Sequence, residues 1–115
     1  MDELIAQIAQ KTGVDPTLAR QAVGIIMKFL HENGPQEKVQ SLIDAIPDAP
    51  EAVANAPEIG FGGVMGVFNT LTSAGLGMSD IQGVTQEFIA LAKSKAGADT
   101  VDEIVGSIPG LNQFV

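Results

Sequence analysis

Histidine is the residue type best suited to accept and return a proton near neutrality, and the chain holds one, His31, beside Glu32. General acid–base chemistry would need a positioned partner and a nucleophile within reach, and the spacing around His31 supplies neither. A cation near the end of a helix stabilises the helix dipole, which is sufficient reason for a histidine there. One imidazole and no cysteine leave a nitrogen- or sulfur-ligated transition metal without donors, and no acidic loop follows the calcium-binding pattern with its central glycine and closing glutamate. The expectation is no catalytic residue, no metal and no cofactor.

Two acidic pairs, Asp2-Glu3 and Asp102-Glu103, are the residue types of glycosidic or metal chemistry. Both are expected in first helical turns, where carboxylates offset the positive pole of the helix. The cluster Gly60-Phe61-Gly62-Gly63-Val64-Met65-Gly66 suggests a phosphate cradle, since glycine lets backbone approach an anion closely. The spacing does not support it. No Gly-Lys-Ser/Thr follows, the third glycine of a dinucleotide fingerprint would fall on Met65, and no strand precedes the cluster. Gly62 and Gly66, one turn apart, suit instead the close approach of a neighbouring helix. Core packing is the first expectation for this stretch, and the functional option is that Phe61, Val64, Met65 and Phe68 leave an adaptable apolar surface partly exposed for a partner helix or a lipid.

The elements that must hold these residues are helices. Leu4, Ile5, Ile8 and Ala9 recur at three-to-four-residue spacing over 2–11. Asp15 can cap a second helix with Pro16 at its first position, carrying Leu18, Ala22, Val23, Ile25, Ile26, Met27, Phe29 and Leu30 before Asn33-Gly34-Pro35. A third helix runs over 36–46 with Val39, Leu42, Ile43 and Ile46, and Pro47 closes it. Three prolines between 47 and 60 leave room for at most one short turn around 51–55. A fourth helix follows over 62–72, weakened by Gly63 and Gly66 at about 1 kcal/mol each. Ser79-Asp80-Ile81-Gln82 and Thr100-Val101-Asp102-Glu103 have capping-box spacing and open a fifth and a sixth helix. Their stripes are Ile81, Val84, Phe88, Leu91 and Ala92, then Val101, Ile104, Val105 and Ile108.

A shift of 62 residues lays Gly13 on Gly75, Val39 on Val101, Ile46-Pro47 on Ile108-Pro109 and Val53 on Val115, with apolar classes agreeing between. The expected fold is therefore an all-α compact bundle of about six helices within a single domain, 1–115. Its two pseudo-symmetric three-helix halves span about 1–53 and 62–115, with a Pro/Gly-rich linker at 47–63. At 115 residues one core is the default. Apolar residues at 45% and charged residues at 17% exclude disorder driven by charge. A net charge of −8 repels a phosphate backbone, so nucleic acid is not an expected partner. The longest apolar run, 59–68, is half of the ~20 residues a bilayer requires. The opening Met1-Asp2-Glu3-Leu4 has neither the basic nor the apolar stretch of an export signal, and the expected location is the cytoplasm.

Gly-Leu-Gly-Met-Ser-Asp-Ile at 75–81, Phe88-Ile89, and Lys93-Ser94-Lys95-Ala96-Gly97 together resemble the bacterial family of small helical proteins called VcgC/VcgE. The stretch 12–22 with its sequel Ile46-Pro47 is similar to the first half of that family. Members of the family often carry an export signal, which departs from the start seen here. The resemblance implies no activity and no site residues. The function expected is a non-enzymatic protein-interaction or structural module, acting on a protein partner or on itself as a homodimer. The alternative is a carrier of lipid or a small apolar ligand held between the halves.

Overall fold

Helix α1, Asp2–Thr12, buries Leu4, Ile5 and Ile8 of the stripe its spacing predicts and leaves Ala9 half-buried. The computed structural model describes residues 2–57 and 63–108. The chain leaves α1 through Gly13, whose φ of 78° is a left-handed conformation that costs glycine nothing. Asp15 then accepts a hydrogen bond from the Thr17 N–H at 2.8 Å and caps α2, Pro16–Asn33, with proline in its first turn. Nearly every residue of α2 from Ala22 to Leu30 is buried, because neighbours surround it: it packs against α1, α3, α4, α5 and α6. Helix α3, Gln36–Ala45, buries Val39, Leu42 and Ile43, and Ile46 beyond its end is buried as well.

Two expectations fail next. The proline-rich stretch contains a helix of seven residues, α4, Ala49–Asn55, so the described residues form seven helices and no strand, not about six helices. Pro50 sits in the first turn of α4, where its missing N–H has no intrahelical partner to lose. Asp48 makes the sharp entry in a left-handed conformation, φ 68°. Gly24 of α2 lets α4 come close: a Cβ placed there would lie 2.9 Å from the Ala52 carbonyl oxygen.

Helix α5 spans Val64–Ser73, α6 spans Met78–Ala96 and α7 spans Ala98–Ser107. Neither expected capping box forms. Gly77 is the N-cap of α6, and its N–H donates to Asp80 Oδ2 at 3.4 Å. Gly97 is the N-cap of α7, which puts Thr100 inside the first turn. Both helices start two or three residues early, each directly after a glycine, and Gly97 takes a φ of 98° that glycine adopts at no steric cost. The α6 stripe also differs from the predicted one: Ile89 and Thr85 are buried beside Ile81, Val84, Phe88 and Ala92, while Leu91 is only half-buried.

The second central rod is α6, packed against α1, α2, α3, α5 and α7. Phe29 of α2 and Phe88 of α6 are fully enclosed, and one continuous apolar cluster runs from Leu4 to Ile108. Each fully buried side chain of this kind contributes roughly 1.5–3 kcal/mol to folding. Ion pairs stitch the rim: Asp2 with Arg20, Lys11 with Glu87 at 3.5 Å, Lys38 with Glu103, and Lys93 with Asp102 at 3.3 Å. No described helix is long and apolar enough to cross a membrane.

Candidate functional site

His31 lies in the last turn of α2, half-buried, on an open surface depression of about 460 Å³ whose other walls include Glu37, Ser41 and Asp44 of α3. That is the neighbourhood a proton relay would need, so the hydrogen bonds decide its competence. The Ser41 hydroxyl donates to the Glu37 carbonyl oxygen at 3.1 Å, and Asp44 Oδ1 accepts from Gln40 Nε2 at 2.9 Å. Among the described residues no hydrogen bond ties His31 to either carboxylate or to the hydroxyl. The serine is occupied by its own helix, and the arrangement has no activated nucleophile.

The acidic pairs have other work. Asp2 is in the first turn of α1, as expected, and also pairs with Arg20. Asp102 and Glu103 are not in a first turn, because α7 begins at Ala98. They reach Lys93 of α6 and Lys38 of α3, and so bind α7 to its neighbours. No group of three or more potential metal-ligating side chains occurs among the described residues.

A second cleft of about 460 Å³ opens between α2 and α4, with Arg20, Gln21, Asp48, Glu51 and Asn55 on its walls. The sequence gives no hint of it, since its far wall is the unexpected α4. Arg20 faces Asp2 as well as the cleft, and the polar side chains of the remaining walls are exposed amides and carboxylates beside Gly24, Ala52, Ala56 and Pro57. Lys28 bonds the Ala56 and Pro57 carbonyl oxygens at 3.4 and 3.5 Å, near the end of α4.

Of the four apolar candidates, Phe61 lies outside the described residues, as do Gly60 and Gly62 of the glycine cluster. The other three share α5. Val64 and Phe68, one turn apart and half-buried, line an apolar recess completed by Val67 and Leu71 of the same helix, Ile26 and Phe29 of α2, and Ile81 and Thr85 of α6. The recess holds about 30 Å³. Met65 is not part of its wall: the side chain stands out from the helix and is 63% exposed. Only Met78, at 60%, is comparable among the large apolar side chains described. Thr85 is the wall residue that sequence reasoning misses, a 5%-exposed threonine in an otherwise apolar lining.

Helix α5 is also the one described helix without a charged residue. It carries no ion pair, and its N-cap, Gly63 at φ 58°, makes no side-chain cap. Its exposed side chains are Met65, Asn69, Thr72 and Ser73, all uncharged, where its neighbours present carboxylates and ammonium groups. No protein-family model matches the chain, and neither a curated protein nor a solved structure matches it.

Proposed function

We propose that the chain is a non-enzymatic protein-interaction module that docks its partner on the outer face of α5. The observation that carries this reading is Met65, exposed next to the half-buried Val64 and Phe68 on a helix free of charge. Apolar side chains grouped in this way lower their free energy when a partner removes them from water, and methionine adapts its shape to what it meets. The apolar recess of about 30 Å³ is far below the ~300 Å³ of ligand pockets, and the two clefts of about 460 Å³ are lined largely by polar and charged residues, which counts against a carrier of apolar ligands.

The scaffold is read as two similar three-helix halves. Helix starts support this: Asp2 and Val64, Pro16 and Met78, and Gln36 and Ala98 are each 62 residues apart. So do the joints. Gly13 and Gly75 both have positive φ, and Ile46 and Ile108 end their helices at φ −109°, ψ 115° and φ −108°, ψ 112°. On this reading α5 corresponds to α1, and Val64, Met65 and Phe68 stand where α1 has the exposed Asp2, Glu3 and Ala6. Two acids on the first half become two apolar residues on the second.

Affinity capture from cells that express the chain natively tests the reading, comparing the wild type with Met65→Glu. Met65 is exposed, so the variant should keep the helical circular dichroism of the parent. Proteins retained by the wild type are expected to be lost from the variant. An identical set on both would remove α5 as the docking face.

A further inference from the structure

Resting on that reading, we propose that Met65 is a reversible oxidation site, at which a peroxide closes the α5 face to its partner and a sulfoxide reductase reopens it.

The first argument is the distribution of sulfur. The chain has no cysteine, tryptophan or tyrosine, so a two-electron oxidant is directed to methionine. Exposure then separates the described methionines: Met27 of α2 is fully enclosed, whereas Met65 is 63% and Met78 60% exposed. At either exposed thioether a sulfur lone pair can attack the distal oxygen of hydrogen peroxide. The S–O bond forms as the O–O bond breaks, and the leaving hydroxide takes the proton of the transferred oxygen and departs as water. A methionine sulfoxide reductase supplied with a dithiol reverses the change: the oxygen leaves as water and the dithiol becomes a disulfide.

The second argument is the company Met65 keeps. Of the exposed side chains of α5, namely Met65, Asn69, Thr72 and Ser73, it is the single apolar one. One added oxygen therefore leaves the exposed side of the helix wholly polar. Asn69 is four residues on and neighbours Met65 on the helix surface, and its amide has N–H groups to donate to a sulfoxide oxygen. A partner surface fitted to a thioether would have to bury that oxygen without a hydrogen bond, which opposes docking. The core is spared, because Met27 is enclosed and α5 turns Gly66, Val67 and Leu71 inward. Met78, in the first turn of α6, is as exposed as Met65 but lies off the α5 helix and serves as the internal control.

The purified chain is treated with hydrogen peroxide, and each methionine is followed by peptide mass spectrometry. Met65 and Met78 should convert at least about tenfold faster than Met27, with the helical circular dichroism unchanged. Once the peroxide is removed, the oxidised wild type should no longer retain the proteins that the reduced chain captures from its native cells. Reductase with dithiothreitol should restore them. Met65→Leu keeps an apolar side chain without sulfur, so its captured set should survive peroxide, whereas Met78→Leu should respond as the wild type does. Conversion of Met65 no faster than that of Met27 overturns the site. Capture that persists on the oxidised wild type, or is lost from peroxide-treated Met65→Leu, overturns the switch. The docking face itself fails on a different result, retention of the wild-type set by Met65→Glu.

Discussion

Gly24 and Gly106 are both helical glycines, and exchanging each for alanine should move stability in opposite directions. At Gly106 a Cβ would meet nothing within 4 Å, so the better helix propensity of alanine should raise stability by up to about 1 kcal/mol. At Gly24 the Cβ would sit 2.9 Å from a backbone carbonyl oxygen that cannot swing aside, and relieving the overlap between α2 and α4 should cost about 1–3 kcal/mol. Thermal unfolding of the two variants checks both signs, and a stabilised Gly24→Ala would mean that α4 is not held against α2. Asp15→Ala should cost about 1 kcal/mol through the lost cap. Asp15 was legible in the sequence because an acid before Pro16 has one obvious use. Gly24 was not, because its reason is a helix 28 residues away. The Ser79 and Thr100 caps misled in the other direction: side chains with the right spacing lost to the glycines just upstream.

Among the elements, α1 and α5 make the sharpest contrast. Helix α1 buries two isoleucines and a leucine and holds ion pairs to α2 and α6, while α5 buries Gly66, Val67 and Leu71 and is held by packing alone among the described contacts. Fewer buried apolar atoms mean a lower free energy of local opening. Amide hydrogen exchange should therefore protect α5 less than α1 by at least about tenfold, a 1.4 kcal/mol difference. Equal protection would show that α5 opens only with the whole fold. Helical periodicity placed six of the seven helices, since a stripe returning once per turn is a direct record of burial. It missed α4 because proline was read as a breaker, though at the start of a helix it is tolerated. It grouped Val64, Met65 and Phe68 on α5 but could not say which side each faces. That depends on where α2 and α6 cross beneath, and only the fold separates the buried-side pair from the exposed methionine.

Across the whole molecule the helices of the two proposed halves interleave. Helix α1 packs on both α2 and α6, α5 packs on both α6 and α2, and α3 lies against α7. Phe88 of the second half and Phe29 of the first belong to one apolar cluster, so neither half can open without exposing the other. Two similar halves that each enclosed their own core would melt separately. Interleaved ones must melt together. Calorimetry should then give one transition whose calorimetric and van't Hoff enthalpies agree, roughly 80 kcal/mol at about 0.7 kcal/mol per residue. Phe88→Ala, which empties a fully buried site, should cost about 3–5 kcal/mol and lower that single transition without splitting it. If instead the variant melts in two steps, with the Phe29 side still folded after the first, the halves are independent units. The docking face on α5 would then belong to the second half alone and not to a platform that both halves build.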